Sequence, residues 1–158
     1  MTARRQQSLK QLADPANDAF LLEHSPFFRL TQAESLYQKR MAENLKAVGM
    51  DIPRWRILMI LHEKSPSTIT EIADRALMKL STMTRVAQRL ERDGLVRLMP
   101  NKTDARSTDV HITDAGEFAV DKIRTVASRT FRRATEDLST KELKVLNSLL
   151  ARLAEALF

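Results

Sequence analysis

The stretch Thr68-Ile69-Thr70-Glu71-Ile72-Ala73-Asp74-Arg75-Ala76-Leu77-Met78-Lys79-Leu80-Ser81-Thr82-Met83-Thr84-Arg85-Val86-Ala87-Gln88-Arg89-Leu90-Glu91-Arg92-Asp93-Gly94 reads as two short helices joined by a turn. Thr68 and Glu71 have the spacing of a capping box, in which each side chain satisfies a free backbone amide of the other residue. The first helix carries Ile72, Ala73 and Ala76 on its inner side. The second, predicted over Ser81 to Arg92, turns Met83, Val86, Ala87 and Leu90 inward. It turns Ser81, Thr82, Arg85, Gln88, Arg89 and Arg92 outward, and Gly94 ends it. A major-groove reader needs donors and acceptors for base edges and cations for phosphates, and Ser81, Thr82, Thr84, Arg85, Gln88 and Arg89 supply them. Any solvent-facing amphipathic helix can show such a face, so the reading needs support from its neighbours.

The hydrophobic period changes directly afterwards. Leu95-Val96-Arg97-Leu98-Met99 and Asp109-Val110-His111-Ile112-Thr113 read as strands around the polar, basic turn Asn101–Ser107. Such a hairpin has a protruding tip. Lys102 and Arg106 place cations there, and an arginine suits the narrow, negative minor groove. Asp104, two residues before Arg106, is expected to orient it by a salt bridge. The charge distribution agrees. From Arg75 to Arg106 there are eight basic and three acidic residues, a net +5, whereas the other 126 residues together contribute only +1. A solvated face usually carries both signs in near balance, so this excess points to a polyanion.

Helices are predicted on both sides. Ser25-Pro26 opens one that carries Leu30, Ala33, Tyr37, Met41, Leu45 and Val48 at spacings of three and four, with Gly49 as its stop. A second begins near Pro53 and is apolar nearly all round through Trp55–His62, so it is expected to be central and buried. Thr113 caps a long helix with Val120, Ile123, Ala127, Phe131, Ala134 and Leu138 in one stripe. Ser139–Glu142 is another capping box, opening a helix with Leu143, Leu146, Leu150, Leu153 and Leu157 along one face. A small DNA-binding lobe cannot bury both terminal stripes, which favours a dimer. The expected fold class is mostly α with a small β-hairpin wing: a winged helix-turn-helix lobe plus a helical dimerisation region formed by N- and C-terminal helices. Residues 1–24 are expected to be an arm of uncertain order, 25–49 and 114–158 the dimerisation region, and 50–113 the DNA-binding lobe.

Asp104-Ala105-Arg106-Ser107 followed by Val110-His111-Ile112-Thr113-Asp114-Ala115-Gly116 resembles the wing signature of the MarR family of bacterial transcriptional regulators. Thr68–Ala73, Ser81–Arg85 and Leu90–Val96 are similar to that family's helix-turn-helix, and the order of elements agrees from about residue 26 onward. The resemblance implies an obligate homodimer on a palindromic operator, usually a repressor released by a small ligand. By position it implies that Ser81, Thr82, Thr84, Arg85 and Gln88 read the major groove, with Arg106 as the wing arginine and Asp104 as its partner. Two residues depart from the pattern. Lys79 stands where Ser or Thr commonly caps the recognition helix, making Lys79 a candidate phosphate contact, and Leu77 stands where Gly is frequent.

The family's ligand pocket lies where the dimerisation helices meet the DNA-binding lobe. Here it would include Phe27, Phe28, Tyr37, Met41, Trp55, Arg56, Met59 and His62, whose rings, thioethers and cation suit an aromatic or acyl carboxylate, or its thioester. The alternative is that Trp55, Met59 and Leu61 are simply core and Arg54 and Arg56 surface or interdomain ion-pair partners. Metal sensing is the competing idea, from Glu23-His24 and His62-Glu63, but adjacent residues on a helix do not face one point and no His-x-x-x-His spacing exists. With no cysteine, thiol chemistry is excluded.

An enzyme is not expected. The chain has no Gly-rich phosphate loop, nucleophile elbow or His-Glu-x-x-His, and its three histidines are scattered. A sequence-blind architectural or RNA-binding protein would carry a more even basic surface and aromatics for stacking, whereas the basic window has no aromatic residue. The longest apolar run, Ile57–Leu61, is far too short to cross a bilayer. No apolar segment follows the basic Met1–Gln7, so a cytoplasmic protein without signal peptide, membrane partner or cofactor is expected.

Overall fold

Ile57, Leu58 and Leu61 are fully buried at the centre of a computed structural model that describes residues 8–104 and 106–157. The chain divides into two compact units, Met1–Arg40 and Met41–Phe158. In the first, a single helical turn, α1 (Leu9–Leu12), is closed by a capping box between Ser8 and Gln11. This turn lies in the stretch expected to be an arm; Met1–Gln7, where the absence of a signal peptide was inferred, lies outside the described residues. A 3-10 turn at Leu22–His24 precedes α2 (Pro26–Lys46), and Arg29 ties them by donating from Nε to the Glu23 carbonyl at 3.2 Å. Proline stands at the first helical position, where its missing N–H costs nothing.

The second unit begins with the C-terminal turns of α2, whose Met41 and Leu45 are fully buried. Gly49, at φ +70, ends that segment as its sequence implies. Helix α3 (Ile52–Glu63) starts one residue before Pro53, because Asp51 accepts the Arg54 amide and caps it. Its four buried apolar side chains pack against α4 (Ile69–Arg75), α5 (Leu80–Arg92) and α6 (Asp114–Ala134). Each such side chain contributes about 1.5–3 kcal/mol on leaving water. The capping boxes form at Thr68–Glu71 for α4 and at Ser139–Glu142 for α7 (Thr140–Glu155). Glu71 accepts the Thr68 amide and the Lys64 ammonium, and this holds its carboxyl at about 2, against an ordinary 4.5.

Three antiparallel strands follow the order β1-β3-β2, with β1 at Ser67–Thr68, β2 at Val96–Pro100 and β3 at Thr108–Ile112. The hairpin was legible, shifted by one residue at each strand. The two-residue β1 was not, since two residues carry no alternation. Val96 pairs with Ile112 and Leu98 with Val110, so the apolar side faces the helices while Arg97 and His111 pair on the other side. Thr113 then leaves the strand. Its hydroxyl accepts the Gly116 amide at 3.1 Å and donates to the Gly94 carbonyl at 2.8 Å, joining the end of α5, the hairpin and α6.

The terminal stripes are buried only in part. On α6, Val120 and Ile123 are buried, but Phe131 is 57% exposed and Leu138, predicted to continue the stripe, falls beyond the helix end. The expected stripe from Val120 to Leu138 is thereby corrected at its end: Leu138 lies outside α6, and burial reaches only the first half of the stripe. Helix α7 has no buried residue, and Val145, Leu146 and Leu149 are each about half exposed.

Gly116 explains the glycine of the Thr-x-x-Gly element. A Cβ there would lie 2.2 Å from the Leu95 carbonyl oxygen and 2.7 Å from Ile112 Cγ1. Gly116→Ala is expected to cost about 1–3 kcal/mol, as overpacking does. Thermal unfolding checks this, and an unchanged midpoint would contradict the close approach.

Candidate nucleic-acid interface

Helix α5 is held by its inner residues and open on its outer ones. Met83, Ala87 and Leu90 are fully buried, whereas Ser81, Arg85 and Gln88 are exposed. Spacings of four and three put those last three on one face. Thr82 and Thr84 are half-buried, and the Thr84 hydroxyl donates to the Leu80 carbonyl at 2.9 Å, which commits its proton within the helix. The helix begins at Leu80, one residue earlier than predicted. Lys79 takes the cap position in extended conformation with no side-chain cap bond, and its side chain is exposed. Leu77, where glycine was expected, adopts φ +52 in the turn from α4 and is 86% exposed. A left-handed conformation costs a non-glycine residue about 1–2 kcal/mol, so this turn is strained.

The hairpin tip is organised by a residue the sequence reading passed over. Asn101 Oδ1 accepts from the Thr103 amide, the Thr103 hydroxyl and the Asp104 amide at 2.9, 2.8 and 2.9 Å, while Nδ2 donates to Asp109 at 2.8 Å. An asparagine opening a turn was the available signal, since its side chain mimics backbone two residues on. The expected Asp104–Arg106 salt bridge does not form. Asp104 Oδ1 accepts the backbone amide of Arg106 at 3.0 Å instead, the local bond that a two-residue spacing favours. Lys102, Asp104 and Arg106 are all exposed, and no ion pair among the described residues engages the Arg106 guanidinium. Ala105 lies outside the described residues.

Arg89 differs from the other candidates. Its Nη1 lies 3.3 Å from Asp51, so it is an ion-pair partner of the cap of α3. Arg54, expected as an ion-pair residue, pairs with Asp51 and Asp93 and completes that cluster.

The candidate ligand residues are placed as follows. In the first unit, Phe28 is half-buried and Tyr37 is 40% exposed. In the second, Met41 is fully buried in the core, which removes it from any surface a ligand touches here. Trp55 and Met59 pack against the core, as the core alternative held. Arg56 donates from Nη1 to the Ala76 carbonyl at 3.2 Å, and His62 Nδ1 meets Glu117 Oε2 at 2.7 Å. A cleft of about 700 Å³ lies instead between the end of α5 and the hairpin, lined by Glu91, Arg97, Met99, His111 and Asp114 among others. Among the described residues, no group of three His, Asp or Glu side chains is placed to hold a metal, and no helix is long and apolar enough to cross a membrane.

The sequence profile of the MarR family matches residues 50–108, which span the helix-turn-helix and most of the hairpin. The HTH-type transcriptional repressor IacR of Pseudomonas putida is 38% identical over 137 residues, covering 87% of this chain and 82% of the relative. The chain belongs to the MarR family. A probable transcriptional regulator from Pseudomonas aeruginosa superposes with a TM-score of 0.74 at 28% identity, covering 84% of this chain and 99% of that one. NadR, solved in complex with 4-hydroxyphenylacetate, superposes at 0.70 with 26% identity, covering 79% and 89%. This MarR-family chain is therefore a winged-helix DNA-binding transcriptional regulator and not an enzyme.

Asn101→Ala removes three acceptor bonds from the tip. At about 1 kcal/mol for a typical net hydrogen bond, amide exchange at Thr103 and Asp104 is expected to speed up about tenfold while the unfolding midpoint stays within a few degrees. Unchanged exchange would show that the loop holds itself without Asn101.

Proposed function

We propose that the protein is a cytoplasmic homodimeric repressor that binds a pseudo-palindromic operator and leaves it when a small anionic ligand binds. The observation that carries this reading is the exposed polar face of α5 together with a hairpin-tip arginine, Arg106, that has no ion-pair partner among the described residues. Ser81, Thr82, Arg85 and Gln88 read base edges, Thr84 adds a methyl and an acceptor oxygen, and Lys79 and Lys102 meet phosphates. Arg106 enters the minor groove from a tip that Asn101 and Asp104 keep in shape. Residues 50–113 are the DNA-binding lobe, and 25–49 with 114–158 the dimerisation region. The half-exposed Val145, Leu146 and Leu149 of α7 and the exposed Phe131 of α6 support self-association. The dimer sets two α5 helices about 34 Å apart, one turn of DNA.

An aromatic or acyl carboxylate is the ligand class, in keeping with the phenolic carboxylate bound by NadR. Within the 41–158 unit, Trp55, Arg56, Met59 and His62 are its proposed contacts. Arg56 gives the route to DNA. A carboxylate attracts a guanidinium more strongly than a neutral carbonyl does, so it draws Arg56 away from Ala76. Ala76 immediately precedes the strained Leu77 turn that aims α5.

Selection of bound duplexes from a random library, at two salt concentrations, is expected to enrich an inverted repeat whose binding weakens with salt. Salt-sensitive binding with no enriched sequence would instead mean a sequence-blind architectural protein. Arg106→Ala is expected to lose about 1–3 kcal/mol of operator binding while remaining a dimer, and binding equal to wild type would dismiss the wing contact. Replacing both Leu146 and Leu149 by Glu is expected to yield monomers in sedimentation; an intact dimer would move the interface elsewhere.

A further inference from the structure

Four charged side chains form a ladder between the first turn of α3 and the last turn of α5. Asp51 accepts the backbone amide of Arg54 through Oδ1 at 3.0 Å and Arg54 Nε through Oδ2 at 3.1 Å. The same Oδ2 faces Arg89 Nη1 at 3.3 Å. Arg54 continues through Nη1 to Asp93 at 2.9 Å and through Nη2 to the Gly49 carbonyl at 2.8 Å. The order is Arg89, Asp51, Arg54, Asp93, with signs alternating. Its two arginines differ: the Arg54 side chain is 11% exposed and bonded to three partners, whereas that of Arg89 is 53% exposed and has one ion-pair partner among the described residues. Asp51 is thus an acceptor pinned by the helix cap and by Arg54, and Arg89 is the exposed partner it holds.

Arg89 follows Gln88 and stands one turn after Arg85, on the flank of the helix that the proposed function places in the major groove. A DNA phosphate competes with Asp51 for the same guanidinium fork. We propose that Asp51 gates Arg89, withholding it from phosphate and so setting how strongly the protein binds DNA without regard to sequence. This rests on α5 being the DNA-contacting helix. Phosphate contacts carry no sequence information, so a withheld arginine lowers background binding while leaving the base-reading residues intact. Asp51 is then a specificity-determining residue that never touches DNA.

The test measures binding to operator and to scrambled duplex across salt. Asp51→Asn removes the charge and keeps a good cap, and Asp51→Ser does the same with a different side chain. Each is expected to steepen the slope of log K against log salt by about 0.9, one more phosphate contact, and to lower the ratio of operator to scrambled affinity. Adding Arg89→Ala to Asp51→Asn is expected to return the slope to the wild-type value. A wild-type slope in both single variants would overturn the gate. So would a steeper slope that survives in the double variant, since the effect would then come from net charge alone. If the wild-type protein binds neither duplex, the DNA reading itself falls, and the gate with it.

Discussion

Helix α3 has apolar side chains on nearly every side, and the 41–158 unit is arranged so that four of them, Ile57, Leu58, Ile60 and Leu61, are buried. Ile57, Leu58 and Leu61 have no exposed surface, and α4, α5, α6 and β3 each lie against this helix. Once α3 is central, α5 can only present its Met83–Ala87–Leu90 stripe inward, and its polar face is left outside. The same packing brings α6 against the hairpin, where Gly116 allows its backbone to touch the Leu95 carbonyl. The exposed polar face of α5 is therefore held in place by a core that contains none of its polar side chains.

Electrostatics then separates the basic residues that are already engaged from those that are available. Of the eight in the window from Arg75 to Arg106, Arg75 pairs with Glu63 and Arg89 with Asp51. Lys79, Arg85, Arg92, Arg97, Lys102 and Arg106 have no ion-pair partner among the described residues. Unpaired charge at this density is unfavourable in the free protein and favourable beside a polyanion. A surface ion pair contributes only about 0–1 kcal/mol, so the Arg89 pair is weak enough for a phosphate to compete with it.

Capping chemistry was readable wherever it was local. The Thr68–Glu71 and Ser139–Glu142 boxes formed as spaced, and both glutamates are held below the ordinary carboxylate range, Glu142 chiefly by the Ser139 hydroxyl. Asp51 is also a local cap, yet it was passed over because the proline behind it drew the helix start to residue 53. The Asp104 prediction named the right residue with the wrong bond: a carboxylate two positions before an arginine meets the backbone amide before it meets a flexible guanidinium. The ligand candidates were least legible. Helical spacing places Met41, Arg56 and His62 on their helices but does not say what lies opposite each, and in the fold these are core, the Ala76 carbonyl and Glu117.

From its sequence alone this protein has its element order, its helix-turn-helix, its basic hairpin and its family resemblance, because each rests on periodicity, caps and charge within a few residues of one another. Tertiary structure alone decided which arginines are paired, that Asn101 shapes the tip, and where along α6 burial stops. Those outcomes depend on partners far apart in the chain, such as Arg89 and Asp51, or on how much apolar surface one subunit can cover. Neither is written in local spacing.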